Sequence, residues 1–383
     1  MLFKPRRQKG AMLITVTLLL VTLVGFAALA FDVGHIMIVR NELQNGADAS
    51  ALAGANCLNK RTALSGTDCE AALSPTVNWA TASTKATNSI RLNKSDNTVL
   101  IDGTVTTGYW NVNGGTTMQP TSLSPLGPCT VAGGVMTTPC DRPAVMVTLS
   151  RASGSNGGPV GTLIASMFGG AAVPISARSV AVISSPSNVL PNNLLPVAIN
   201  KCLFDLYWNY ATASPLLATS TSLNGVPQVI GTPWQLRIGS AYHYGTCTSG
   251  QWTSFDLNVN SASAINNLIV NGNPTPLAIG ANTWIQPGTQ TSNYKNLDDK
   301  YPTPSPNPPL SPVNDVTLVL VDVPDLTIKG PALIVAFAGF HITDVKGGSD
   351  KYVQGNFVKA TIVPGGSGAG PSFGAYTPPR LAQ

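Results

Sequence analysis

Between Ala11 and Phe31 the chain reads AMLITVTLLLVTLVGFAALAF, without one charged side chain. As a helix this stretch is about 31 Å long, which matches a hydrocarbon core of about 30 Å. A soluble core helix of that length would carry a polar face, and here only Thr15, Thr17 and Thr22 interrupt the apolar surface. Lys4, Arg6, Arg7 and Lys9 precede the run and Asp32 closes it. That asymmetry puts the leader 1–10 in the cytoplasm and everything from Asp32 onward outside. The expected location is a bacterial inner membrane crossed once by 11–31, with nearly all of the mass in the periplasm. One processing alternative is visible here: Ala28-Leu29-Ala30 has the A-x-A form of a signal-peptide cleavage site, although the apolar run is longer than a usual h-region.

Beyond Asp32, residues Ile36, Val39, Leu43, Ala47, Ala51 and Gly54 fall at steps of three or four, which predicts a helical stalk over 32–56. The stripe becomes small-residue towards its end, so it permits close approach of another helix or a sheet. Lys9-Gly10, Asp32, Gly34, Arg40, Leu43, Gln44, Asp48, Ala51, Leu52 and Ala53 form a polar and small-residue pattern attached directly to the span. This pattern resembles the N-terminal segment of TadG-like proteins of the Tad (Flp) pilus systems. The resemblance implies a pilus-assembly or pilus-associated envelope protein with pilus-assembly proteins or pilins as partners. Gly10 ends a basic leader just before the apolar run, as in type IV prepilins. Those usually carry Glu at the fifth mature position, where this chain has Thr15, and that argues against a polymerising pilin.

The rest of the chain suits export. Only 10% of its 383 residues are charged, and Gly, Pro, Ser, Thr and Asn fill the gap. The net charge of +5 owes four charges to the leader, so the body is near neutral and offers no electrostatic footprint for nucleic acid. Six cysteines, Cys57, Cys69, Cys129, Cys140, Cys202 and Cys247, include no CxxC pair. An even count in an exported chain reads as disulfides, with connectivity left open by sequence. Neighbour pairing, Cys57–Cys69, Cys129–Cys140 and Cys202–Cys247, would staple turn-rich loops for roughly 2–4 kcal/mol each.

Periodicity gives an α+β body that is β-rich, mainly antiparallel and sandwich-like. A first subdomain is expected over 57–186, with a helix in 71–88, a strand–turn–strand from Thr98, strands at 142–150 and 173–184, and a short helix at 163–168. A second spans 187–363, with a proline-rich connector at 301–313, apolar strands at 316–323 and 332–343, and a hairpin turn at 346–350. The Gly/Pro-rich tail 364–383 is expected to fray.

No motif for catalysis appears. His35, His243 and His341 lack a second ligand at helical spacing, and there is no G-x-S-x-G, P-loop or H-E-x-x-H. Asp315, Asp322, Asp325 and Asp344 do not have the spacing of a calcium loop. No cofactor, metal or small-molecule substrate is expected, and the chain does not read as an enzyme. The aromatic groups Phe204, Tyr207, Trp208 and Tyr210, and Trp234, Tyr242, Tyr244, Trp252 and Phe255, read first as core. Two alternatives to pilus support stay open: a released adhesin that contacts glycans through these aromatics, and an exported hydrolase assembled only in three dimensions.

Overall fold

The computed structural model describes residues 9–382 apart from 64–65, 67, 74–76, 128–130, 133–134, 137–138, 163, 170–171, 211–213, 260, 289–290, 303–313, 360, 364–367 and 371–372. The leader before Lys9, Cys129 and nearly all of the proline-rich connector lie outside the described residues.

A single helix, α1 (Lys9–Ala55), runs through both the apolar span and the stalk. Nothing around Asp32 is able to stop it: there is no proline, and Gly34 alone disfavours helix by only about 1 kcal/mol. From Met12 to Phe31 every residue except Ala28 is exposed. Thr17 and Thr22 donate their hydroxyls to the carbonyls of Leu13 and Leu19, at 2.8 Å each. These two hydroxyl donors are therefore satisfied within the helix, as an apolar surrounding requires.

After Asp32 the helix becomes one-sided. Val39, Leu43, Ala47, Ala51 and Ala55 are fully buried at steps of four. Helix α2 (Trp79–Ile90) lies beside them, opened by the Asn78 side chain, which accepts from the Thr81 N–H at 3.2 Å. Its small residues Ala82 and Ala86 face α1, and Gly54 makes the close crossing possible. A Cβ at Gly54 would stand 2.8 Å from both the Ala82 carbonyl oxygen and the Ala86 Cβ. Where the sequence suggests helix from residue 71, Cys69–Leu73 is a strand and α2 starts only at Trp79.

Both helices cover one face of an antiparallel sheet with strands in the order Arg380–Leu381, Ile175–Val182, Asp141–Arg151 and Thr104–Asn111. The period-two alternation fixes which side chains meet the helices. Val145, Val147 and Leu149 join the α1–α2 core, while Ala144 and Met146 pack on the other face with Trp110, Val180 and Val182. The expected short helix at 163–168 is a single 3-10 turn over Ala165–Phe168.

The second half forms a mixed sheet in the order Leu236–Ile238, Tyr352–Phe357, Gly330–Lys346, Asp315–Val321, Val197–Asn200 and Gly250–Trp252. Asn282–Ile285 also pairs with the long 330–346 strand. The 197–200 and 315–321 strands are parallel, and the other pairs in this sheet are antiparallel. Helices α3 (Lys201–Tyr207), α4 (Ala262–Asn271) and α5 (Thr291–Lys300) supply Phe204, Ile265, Leu268, Tyr294 and Leu297 to its core. Cover on both faces explains why the 316–321 run is buried throughout and apolar apart from Thr317.

The tail, read from composition as loose, returns to both sheets. Ala375–Tyr376 pairs with Thr361–Ile362, and Arg380–Leu381 extends the first sheet beside Val182 and Ala181. Phe373, Ala375 and Tyr376 are buried. Arg142 of the first sheet donates to the Gly370 carbonyl at 2.5 Å. Burial removes water from this guanidinium and pushes its pKa down to about 10.

The Gly54 crossing yields a stability contrast. Gly54→Val is expected to destabilise the detergent-solubilised protein by about 2 kcal/mol or more in urea unfolding, because neighbouring backbone must shift. Gly34→Ala, which meets nothing within 4 Å, should be neutral or stabilising by up to about 1 kcal/mol. Equal effects at the two positions would contradict the crossing.

Candidate interaction site along α1

The polar residues beside the span are held mostly inside the molecule. Asp32 is only 4% exposed. Its carboxylate accepts from the Ala165 N–H at 2.7 Å and from the Ile164 N–H at 3.1 Å. It therefore caps the 3-10 turn in the connection between the 141–151 and 175–182 strands, with charge-assisted bonds. One turn higher, His35 Nε2 lies 3.1 Å from Asp96 Oδ1. Asp96 and Asn97 form the two-residue loop of the hairpin Lys94–Val99, with φ of 50° and 60°. That pairing of positive φ values is the turn that matches strand twist, and Asp and Asn tolerate it.

The hairpin is pinned to α1 from several directions. The Asp96 N–H donates to Glu42 Oε2 at 2.6 Å, and Ser95 Oγ donates to the Val39 carbonyl at 3.3 Å. Arg151, buried, donates to the Ser95 carbonyl at 3.0 Å and stands 3.5 Å from Asp96 Oδ2. Further along, Gln44 donates to Asp48 Oδ1 at 2.7 Å and to the Arg178 carbonyl at 3.2 Å. Sequence reasoning missed Glu42, Ser95, Asp96 and Arg151. The Ser-Asp-Asn-Thr turn was the available signal, but its docking partner lies more than fifty residues earlier in the chain.

The expected packing stripe is thus already occupied. Val39, Leu43, Ala47, Ala51 and Gly54 are buried against α2 and the chain's own sheet, and Ile36 packs at the margin. The small residues of the stripe, which permit close approach of a helix or a sheet, serve internal packing against α2 and the first sheet. Of Asp32, Arg40 and Asp48, the charged signature residues whose burial is described, Arg40 is the exposed one. The apolar surface left open on α1 comprises Met12–Phe31 without Ala28, together with Val33, Met37 and Ile38.

Two of the expected cysteine pairings stand at disulfide distance, Cys57–Cys69 with Cα atoms 5.5 Å apart and Cys202–Cys247 at 5.9 Å. The Cys129–Cys140 pairing involves a residue outside those described. Asp68 lies beside the first bridge, and the Lys85 ammonium holds its carboxyl below the usual carboxylate range. Both sulfurs there are bonded to each other, so this cluster is not a metal site.

The remaining chemistry-bearing groups stay apart. His341 Nδ1 is 2.5 Å from Asp315 Oδ1 across neighbouring strands, His243 is exposed, and His35 belongs to α1. Asp325 binds within its own turn at Thr327, and Asp344 accepts from Tyr352 at 2.8 Å. Phe204, Trp208, Tyr244, Trp252 and Phe255 are buried core, whereas Tyr210 is 47% exposed.

Comparison with known proteins bears on the same helix. Residues 10–56 match the Tad family described as Flp pilus-assembly TadE/G-like, and residues 53–181 match a second family described as Tad-like Flp pilus-assembly. Together they cover α1, α2 and three of the four strands of the first sheet, stopping one residue short of the end of the third. No curated protein and no solved structure matches the chain.

Removing the Asp32 cap should loosen this unit. Asp32→Ala is expected to cost about 2 kcal/mol in urea unfolding and to speed proteolysis within 161–173. Arg40→Ala should stay within about 0.5 kcal/mol of the parent. The reverse ranking would contradict the assignment of Asp32 to internal docking.

Proposed function

We propose that the chain, whose residues 10–56 match a TadE/G-like and residues 53–181 a Tad-like Flp pilus-assembly family, is a single-pass, inner-membrane protein that supports a Tad/Flp pilus from the periplasmic side. The observation that carries this reading is the continuity of α1. One helix supplies an exposed apolar span and then becomes the core of the first sheet layer. A pull on the body is transmitted to the membrane through backbone hydrogen bonds rather than through a linker, as suits a support for an assembling fibre.

The basic leader orients the span with its N-terminus in the cytoplasm. Disulfides at Cys57–Cys69 and Cys202–Cys247 agree with a body folded in an oxidising compartment. Retention is favoured over release at Ala30, because Ala28, Leu29 and Ala30 lie inside the unbroken helix α1. The chain acts by association with pilus-assembly proteins or pilins, through surfaces other than the filled stripe.

A deletion strain tests the proposal. Loss of pili, restored by the full chain but not by the body behind a cleavable signal peptide, is the expected outcome. Normal pili without the gene would defeat it, and so would full rescue by the released body.

A further inference from the structure

The two sides of α1 leave its apolar stretch at different heights. On the side towards the sheet, burial begins at Ala28, 8% exposed, and Asp32, 4% exposed. There the Asp32 carboxylate holds the Ile164 and Ala165 N–H groups beside it. The body thus meets the helix at Asp32, directly where the uncharged run ends. On the opposite side, roughly 120–160° around the helix, Phe26 is 73% exposed, Val33 41% and Met37 60%, and Ile38, on the flank beside Met37, is 59% exposed. The first polar side chains on that side are Arg40 and Asn41, both exposed. Apolar surface therefore continues from Met12 to Ile38, about 40 Å of helix, about 10 Å more than a hydrocarbon core.

An upright helix cannot suit both sides. Sunk to Ile38, it would carry the 3-10 turn, Asp32 and the Asp96 hairpin with Arg151 into hydrocarbon, where ionisable groups and irregular backbone are expensive. Raised until Ala28 clears the membrane, it would leave Val33, Met37 and Ile38 in water and forfeit their burial. A lean satisfies both, because the downward side of a tilted helix stays in the membrane longer than the upward side. The excess length, about 40 Å of helix across about 30 Å of hydrocarbon, corresponds to a tilt of roughly 40°, the upper end of what membrane helices adopt, and the offset between the two exits has the same sense.

Resting on the reading of α1 as a membrane span, we propose that α1 crosses the bilayer at this steep tilt, with the Phe26–Val33–Met37 side turned down onto the body-side leaflet and the body carried on the upper side. The occupant of this surface is lipid, because the surface is continuous with the span itself. Arg40 borders it at the height where a long side chain reaches anionic phosphate headgroups.

Nitroxide labels on full-length protein in nanodiscs of phosphatidylethanolamine and phosphatidylglycerol test this directly. The described cysteines are all disulfide-bonded, so Leu20→Cys, Met37→Cys, Asn45→Cys and Ser166→Cys each place a label at an exposed position. The proposal expects Leu20→Cys and Met37→Cys to be accessible to oxygen, and Asn45→Cys and Ser166→Cys to a water-soluble nickel reagent, with severalfold contrast. Nickel access at Met37→Cys would overturn it. Oxygen access at both Met37→Cys and Ser166→Cys would overturn it in favour of an upright, sunken body. Shielding of Met37→Cys from both reagents would replace lipid with a second copy of the chain. Nickel access at Leu20→Cys would instead defeat the membrane-span reading, and is distinguishable from all of these.

Discussion

Val39, Leu43, Ala47 and Ala51 of α1 lie against Val145, Val147 and Leu149 of the 141–151 strand and Ala177 and Ala181 of the 175–182 strand. Full burial contributes roughly 1.5–3 kcal/mol for a Val or Leu side chain. The alanines add less area, but they allow α1 to approach α2 and the sheet closely. Without this contact the strands would have an uncovered apolar face, and the hairpin at Asp96 and the turn at Ala165 would have nothing to dock on. The later half depends on it indirectly, since the chain end at Arg380–Leu381 is an edge strand of that same sheet. An exposed apolar run and a folding core are thus two parts of one helix.

Much of this was legible in sequence because periodicity is a local property. The uncharged run, the four-residue steps from Val39 to Ala51 and the alternation Val145–Val147–Leu149 each reported which side would be buried. What escaped were pairings between distant segments. The tail looks loose because Gly and Pro dominate it, yet Tyr376 and Leu381 find partners at Ile362 and Ala181 that no local pattern reveals. Asp32 reads as the polar end of a membrane span, and only the fold shows its carboxylate turned inward to Ile164 and Ala165. The small-residue stripe signals close packing on a helix or a sheet, but a local pattern does not say which segment supplies the partner.

These assignments shift where a partner would bind. With the stripe filled and Asp32, Gln44 and Asp48 engaged internally, Arg40 is left as the exposed charged member of the N-terminal pattern among Asp32, Arg40 and Asp48. The pattern instead encodes how the body is joined to the span. Substitutions at Asp32 and Gly54 would then act on pilus assembly by loosening that joint, not by removing a contact with a partner.

The central claim is that anchor and body are joined without a hinge. Hydrogen–deuterium exchange of the intact protein in nanodiscs, followed amide by amide from Phe26 to Ala55, addresses it most directly. The account predicts unbroken slow exchange through Asp32, Gly34 and Ile36 into the buried stripe. A fast-exchanging gap between Phe31 and Ile36, with protection on either side, would show a flexible joint and contradict it.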